Sequence, residues 1–166
     1  MLDVSQLQAM DPLRGGSRFD ICESMRRVLI SLEKKITDRQ LDVDADIPDE
    51  PILVLGDKDL ITQVIYNLLD NAAKFATPGT KLYLGVTTLD GKARVTVRNL
   101  GETISPEELP LLFERFHKSD KSRSEDKDGV GLGLYIVKTI LEQHKEKINV
   151  TSENGVTTFS FSLAME

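Results

Sequence analysis

Apolar side chains at Ile21, Met25, Val28, Leu29 and Leu32 recur at helical spacing and predict the buried face of a first helix. Asp20 with Glu23 reads as its N-cap and capping box. Residues 52–55 form a short apolar run ended by Gly56, which predicts a strand. Asp57 then predicts the cap of a second helix over about residues 58–75. Its core stripe is Leu60, Ile61, Val64, Ile65, Leu68, Leu69 and Ala72. Strands are predicted over 81–88 and 93–98, joined at Asp90-Gly91, a two-residue hairpin signal. Ser105-Pro106-Glu107-Glu108 predicts the start of a short helix, with a capping residue and a proline at the first helical position. A last helix carries Ile136, Val137, Ile140 and Leu141 inward, and strands near 148–152 and 157–163, turned by Asn154-Gly155, close the chain.

Helices interspersed with hairpins predict an α+β fold, a two-layer α/β sandwich with the helices packed on one mixed β-sheet. A doubly wound parallel sheet does not fit this order. The length of 166 residues suits one domain, and 40% hydrophobic with 29% charged residues is a soluble globular balance. Residues 1–16 read as a short leader, broken from the rest by Pro12 and Gly15-Gly16. Residues 117–128 carry four basic and four acidic side chains, so they cannot bury a core and read as a mobile loop. Lys and Arg total 21 against 27 Asp and Glu, a net charge of −6. Without a basic excess, general nucleic-acid binding is disfavoured, whereas a single nucleotide needs only local donors. A single cysteine, Cys22, forbids an internal disulfide, suits a reducing compartment and is expected to pack on a helix. There is no signal-peptide pattern and no apolar run near 18 residues, so the chain is expected to be soluble; a longer parent can still carry an anchor.

Chemistry concentrates on the second helix. Asn67, Asn71 and Lys74 stand at i, i+4 and i+7, hence on one face, beside the apolar stripe and away from Thr62 and Asp70. Two carboxamides near a lysine can ligate a hard cation through oxygen and hold a phosphate. On these residues alone an ordinary polar helix face is the plainer reading. Gly129, Gly131 and Gly133 add to it, because a glycine-rich backbone opening a helix can approach a phosphate closely. The segment lacks the Gly-Lys-Ser/Thr ending of a P-loop and does not follow a strand, against both Walker-type and dinucleotide-binding contexts.

Several ordered boxes together resemble one family. "QVIYNLLDNAAKFA" (63–76) resembles the N box of sensor histidine kinases, "LFERF" (112–116) their F box and "DGVGLGLYIVK" (128–138) their second glycine box, with a polar lid between the last two. "INVTSENGVTTFSFSL" looks like their closing hairpin, and the resemblance covers about residues 17–164. It implies the Bergerat ATP-binding fold, shared with gyrase, heat-shock-type ATPases and MutL, with ATP and Mg²⁺ as ligands.

Carried over by position, Asn71 is the expected Mg²⁺ ligand with Asn67 beside it, Lys74 a phosphate contact, and Phe75 the ring that flanks the base. Gly129, Val130, Gly131, Leu132, Gly133 and Leu134 would form and anchor the phosphate-side loop. Phe113 and Phe116 would pack the lid's first hinge, and Lys118, Lys121 and Arg123 would reach for phosphates or simply be solvated. Related ATPases place a glutamate at position 67 as general base; an asparagine cannot take that proton, which suits a kinase that saves the γ-phosphoryl.

The first glycine box departs from the family's D-x-G-x-G. Asn99-Leu100-Gly101-Glu102-Thr103 stands there, with Ile104 following. Asn99 keeps a carbonyl oxygen but loses the charge, and Thr103 adds a Cβ expected to lie near the base. His144-Lys145-Glu146-Lys147 replaces the glycine pair that usually follows the late helix. "MLDVSQLQAM" looks like the tail of a dimerisation helix, so residues 1–16 are expected to be its remnant with a linker, and 17–166 the catalytic domain. The histidines His117 and His144 lack the acidic neighbour of a phosphoacceptor motif and are expected on the surface. The reading is therefore an ATP-binding catalytic domain that phosphorylates a histidine on a separate domain. Its partners would be that dimerisation domain and, indirectly, a receiver domain. The fragment would be monomeric, in the cytoplasm, and part of a membrane-anchored parent. The alternative is a degenerate nucleotide-binding or pseudokinase interaction module.

Overall fold

The computed structural model describes residues 17–114 and 132–165. Seven strands and four α-helices are present among them: β1 (Arg18–Asp20), α1 (Ile21–Ser31), α2 (Glu33–Asp38), β2 (Asp42–Asp46), β3 (Leu53–Leu55), α3 (Lys58–Phe75), β4 (Lys81–Leu89), β5 (Lys92–Leu100), α4 (Gly133–Gln143), β6 (Asn149–Glu153) and β7 (Val156–Ala164).

Five strands form the main sheet in the order β2-β4-β5-β7-β6; β2 is parallel to β4 and the other pairs are antiparallel. The helices cover one face. Leu82 and Leu84 of β4, Val95 and Val97 of β5, and Phe159 and Phe161 of β7 meet Ile61, Ile65, Leu68 and Ala72 of α3 and Ile136 and Ile140 of α4 in one core. The α+β sandwich is as expected, with a separate two-stranded sheet of β1 and β3 added to it. Both two-residue hairpin turns have two positive φ values, 52° and 77° at Asp90-Gly91 and 51° and 79° at Asn154-Gly155. These are the values the turn chemistry demands.

Asp57 caps α3 as predicted, its Oδ1 accepting from Leu60 N at 3.0 Å. Asp20 caps α1 through Cys22 N and also accepts from Ile52 N, fastening the helix start to the strand region. Glu23 does not close a capping box; it pairs with Arg27 at 2.9 Å and Lys58 at 3.5 Å. Cys22 is buried, as its helical packing implied, and burial pushes its thiol pKa up. The Ser105 start gives only turns and a 3₁₀ segment, Leu109–Leu111. Pro110 accounts for this: it donates no N–H and restricts the residue before it.

Strand β2 lies at one edge of the sheet with Asp42, Asp44 and Asp46 exposed. The apolar pattern gave no sign of it, because its one partly buried apolar residue is Val43. Just before β2, Arg39 donates to the carbonyl of Ala76, the C-cap of α3. A cation on the last carbonyl suits the negative end of the helix dipole.

Candidate functional site

The site lies where α3, the start of α4 and the end of β5 converge. Asn67 is 9% exposed, and both ends of its carboxamide are engaged. Its Oδ1 accepts from Gln63 Nε2 at 2.6 Å, and its Nδ2 donates to the Gly133 carbonyl at 3.0 Å. Asn67 therefore clips the glycine end of α4 to α3. Asn71, one turn on, is partly exposed, and its side chain has no hydrogen bond among the described residues. Lys74 follows in the last turn of the helix, beside Phe75. The face carries no carboxylate: Asp70 points elsewhere and pairs with Lys35 of α2 at 2.9 Å. That ion pair raises the Lys35 pKa, chiefly through the Asp70 hydrogen bond.

The end of β5 is drawn against the C-terminus of α3. Ala76 bridges to Gly101, and Thr77 N donates to Leu100 O at 2.8 Å. A Cβ at Gly101 would lie 2.6 Å from the Phe75 carbonyl, so the box glycine is required by that close approach. Asn99 extends the core-facing row Ala93, Val95, Val97, yet is polar and 5% exposed. Its backbone pairs with Leu82 and Thr157 in the sheet, and its side chain makes no hydrogen bond among the described residues.

Thr103 bonds the closing hairpin. It is exposed, and its Oγ1 accepts from Gly155 N at 2.6 Å in the β6–β7 turn. Gly101 N donates to Gly155 O, Ile104 N donates to Ser152 Oγ at 2.8 Å, and Ser152 bonds Thr157. Residues 101–104 are thus fastened to the closing hairpin, a clasp that non-adjacent hydroxyls give no sequence sign of. Phe113 packs edge-on against Phe159, centroids 6.1 Å apart. Leu132 and Leu134 are partly buried against the core. Phe116, Lys118, Lys121, Arg123, Gly129, Val130 and Gly131 lie outside the described residues, as do His117, the lid 117–128 and the leader 1–16.

His144 is not on the surface. It is 3% exposed, its Nδ1 donating to Ile140 O at 2.8 Å and its Nε2 accepting from Asp57 N at 3.1 Å. The stripe Val137, Ile140, Leu141 continues to position 144 at helical spacing, so the core has a slot there that an imidazole fills. Burial lowers its pKa.

A helix layer on a mixed sheet, with a polar helix face and a buried amide at the sheet end, is an arrangement that can seat a nucleotide. Residues 56–166 match the model of the histidine kinase-, DNA gyrase B- and HSP90-like ATPase family. The chain is 32% identical over 176 residues to drug sensory protein A of Synechocystis sp., covering 99% of this chain and 26% of that protein. It is 34% identical over 159 residues to sensor histidine kinase CusS of Escherichia coli O157:H7, covering 96% and 33%. The nucleotide-free catalytic domain of histidine kinase ThkA superposes with a TM-score of 0.79 at 27% identity, covering 90% of this chain and 95% of that one. ThkA in complex with the response regulator TrrA gives 0.74 at 25% identity, covering 91% and 42%. The chain belongs to this ATPase family, as an ATP-binding catalytic domain of the sensor-histidine-kinase kind. It spans about a quarter to a third of the length of those two curated relatives.

Proposed function

We propose that the chain binds Mg·ATP between α3, the Asn99–Ile104 segment and the start of α4, and transfers the γ-phosphoryl to a histidine on a dimerisation domain of its parent. One observation carries the kinase reading: the helix face that would meet the phosphates bears Asn67, Asn71 and Lys74 and no carboxylate, Asp70 being paired with Lys35. Without a base, water is not activated and ATP persists for a better-placed nucleophile. Asn71's unpartnered carboxamide oxygen suits a hard cation that keeps most of its waters, and Asn67 lies one turn away. Bound Mg²⁺ supplies charge neutralisation on the phosphate oxygens. The acceptor nitrogen forms a P–N bond as the bond from phosphorus to the β,γ-bridging oxygen breaks and ADP leaves. A receiver domain then takes the phosphoryl from histidine, and the parent is a membrane-anchored sensor with this domain in the cytoplasm. No helix among the described residues is long and apolar enough to cross a membrane.

Incubated with labelled ATP, the chain alone is expected to stay unlabelled. With the parent's separate acceptor domain it should yield acid-labile, base-stable phosphate on that domain, slowly, because no tether raises the effective concentration. Failure of transfer with ATP bound would replace the kinase by an interaction module of the same fold.

That second reading is favoured by Asn99, where the family pattern has aspartate. Asn99→Asp is expected to tighten ATP by about 1 kcal/mol, since a charged acceptor replaces a neutral one. It should also lower the melting temperature without nucleotide, because a buried carboxylate has lost its water. Calorimetry with ATP and GTP reads both; unchanged affinity and unchanged base preference would remove Asn99 from the base contact.

A further inference from the structure

Helix α4 is held to α3 at both ends. Near its start, Asn67 Nδ2 bonds the Gly133 carbonyl at 3.0 Å; just past its end, His144 Nε2 accepts from Asp57 N at 3.1 Å. The two helices therefore run antiparallel, and two bonds some ten residues apart fix how far α4 can slide along α3. The His144 end is built closely. Gly56, the residue before the cap, has φ +150°, and a Cβ there would lie 2.8 and 2.9 Å from ring atoms of His144. Asp57 itself caps α3 through Leu60 N. The ring is buried, with Nδ1 spent on Ile140 O, so the tautomer that leaves Nε2 as an acceptor is fixed.

We propose that His144 is a positioning residue for nucleotide binding: by accepting from the Asp57 amide it sets the register of α4 on α3, and with it the placement of Leu132 and Gly133 beside Asn67 and Asn71. This rests on the nucleotide reading given above. A proton on Nε2 would set donor against donor at Asp57 N–H, and α4 would lose its far anchor. The charged groups facing the ring are Asp57, from the α3 cap, and Glu146, after α4; Glu146 is itself paired with Lys92 of β5 at 2.8 Å. Both carboxylates and the Ile140 carbonyl favour the proton, but burial outweighs them and lowers the pKa below 6.5. The unfolded chain thus protonates first. The contribution of His144 to stability is complete above the ordinary histidine range and is lost as pH falls through it toward the lowered folded value.

The test compares the unmutated chain with His144→Gln, whose amide oxygen can accept from Asp57 N–H but cannot titrate. Mg·ATP affinity is measured by calorimetry at pH 7.5 and 5.5, and protection of the Asp57 and Gly133–Val137 amides from hydrogen exchange is measured without nucleotide. ATP's own titration is common to both proteins and cancels in their ratio. The unmutated chain is expected to lose more affinity on acidification than His144→Gln, by less than about tenfold, because the lowered pKa leaves part of the folded population unprotonated at pH 5.5. Its Asp57 protection should fall at pH 5.5 while that of the variant holds. Parallel affinity profiles overturn the proposal alone, leaving His144 a core residue. Unchanged Asp57 protection also overturns it. No Mg·ATP binding at pH 7.5 by the unmutated chain overturns the nucleotide reading and this inference together. Should His144→Gln not fold, His144→Asn is measured in its place against the same outcomes.

Discussion

Replacing Asn71 with alanine is expected to weaken Mg·ATP binding roughly thirty- to 150-fold, about 2–3 kcal/mol, while the ligand-free melting temperature hardly moves. The two halves of this expectation have separate grounds. Asn71 is partly exposed and its side chain bonds nothing among the described residues, so alanine removes no hydrogen bond within the protein and is a better helix former. Its oxygen, however, accepts no hydrogen bond among the described residues, whereas the Asn67 oxygen accepts from Gln63. Adding a chelator should abolish the difference between the two proteins, because the lost contact is to the metal rather than to ATP. Calorimetry with and without magnesium reads both. Equal affinities in magnesium, in a folded variant, would mean that the cation is held elsewhere.

Gly101→Ala should damage both the fold and the site. The new methyl would lie 2.6 Å from the Phe75 carbonyl, well inside contact distance, and that carbonyl belongs to the last turn of α3 and cannot swing aside as a side chain does. The strand end is equally held, by Gly101 N to Gly155 O at 2.8 Å and Thr77 N to Leu100 O at 2.8 Å. One of these restraints must give. A loss of about 1–3 kcal/mol in unfolding free energy is expected, of the size seen for overpacked sites. Nucleotide affinity should fall with it, because Lys74, Phe75 and Asn99 lie on the two segments being forced apart. A denaturant melt showing no change in midpoint, with ATP binding intact, would contradict the close approach.

What the sequence disclosed follows periodicity and local turn chemistry. Helix α3 was legible because Leu60 through Ala72 repeat at one helical face and Asp57 caps them. Both hairpins were legible because Asp90-Gly91 and Asn154-Gly155 allow positive φ. The constellation Asn67, Asn71, Lys74 was visible for the same reason, being a face of one helix. Three features were not. Strand β2 carries alternating carboxylates where an apolar row would announce a strand. Asn67's bond to Gly133 and Thr103's bond to Gly155 join residues 66 and 52 positions apart, and no local pattern encodes such pairings. His144 is the subtler case: a titratable side chain reads as a surface residue, yet it continues the inward stripe of its helix and is buried. A polar residue on an apolar stripe calls for a search for its bonding partners, here Ile140 O and Asp57 N.

The row Asp42, Asp44, Asp46 on the outermost strand also governs how copies of the molecule meet. An edge strand offers unpaired backbone groups to any passing chain, and the easiest visitor is the same edge of another copy. Here such an encounter would bring two rows of carboxylates side by side, with like charges opposed along the seam. The strand therefore pairs inward with β4 and discourages outward pairing, so crowded copies resist zipping their sheets into one continuous ribbon.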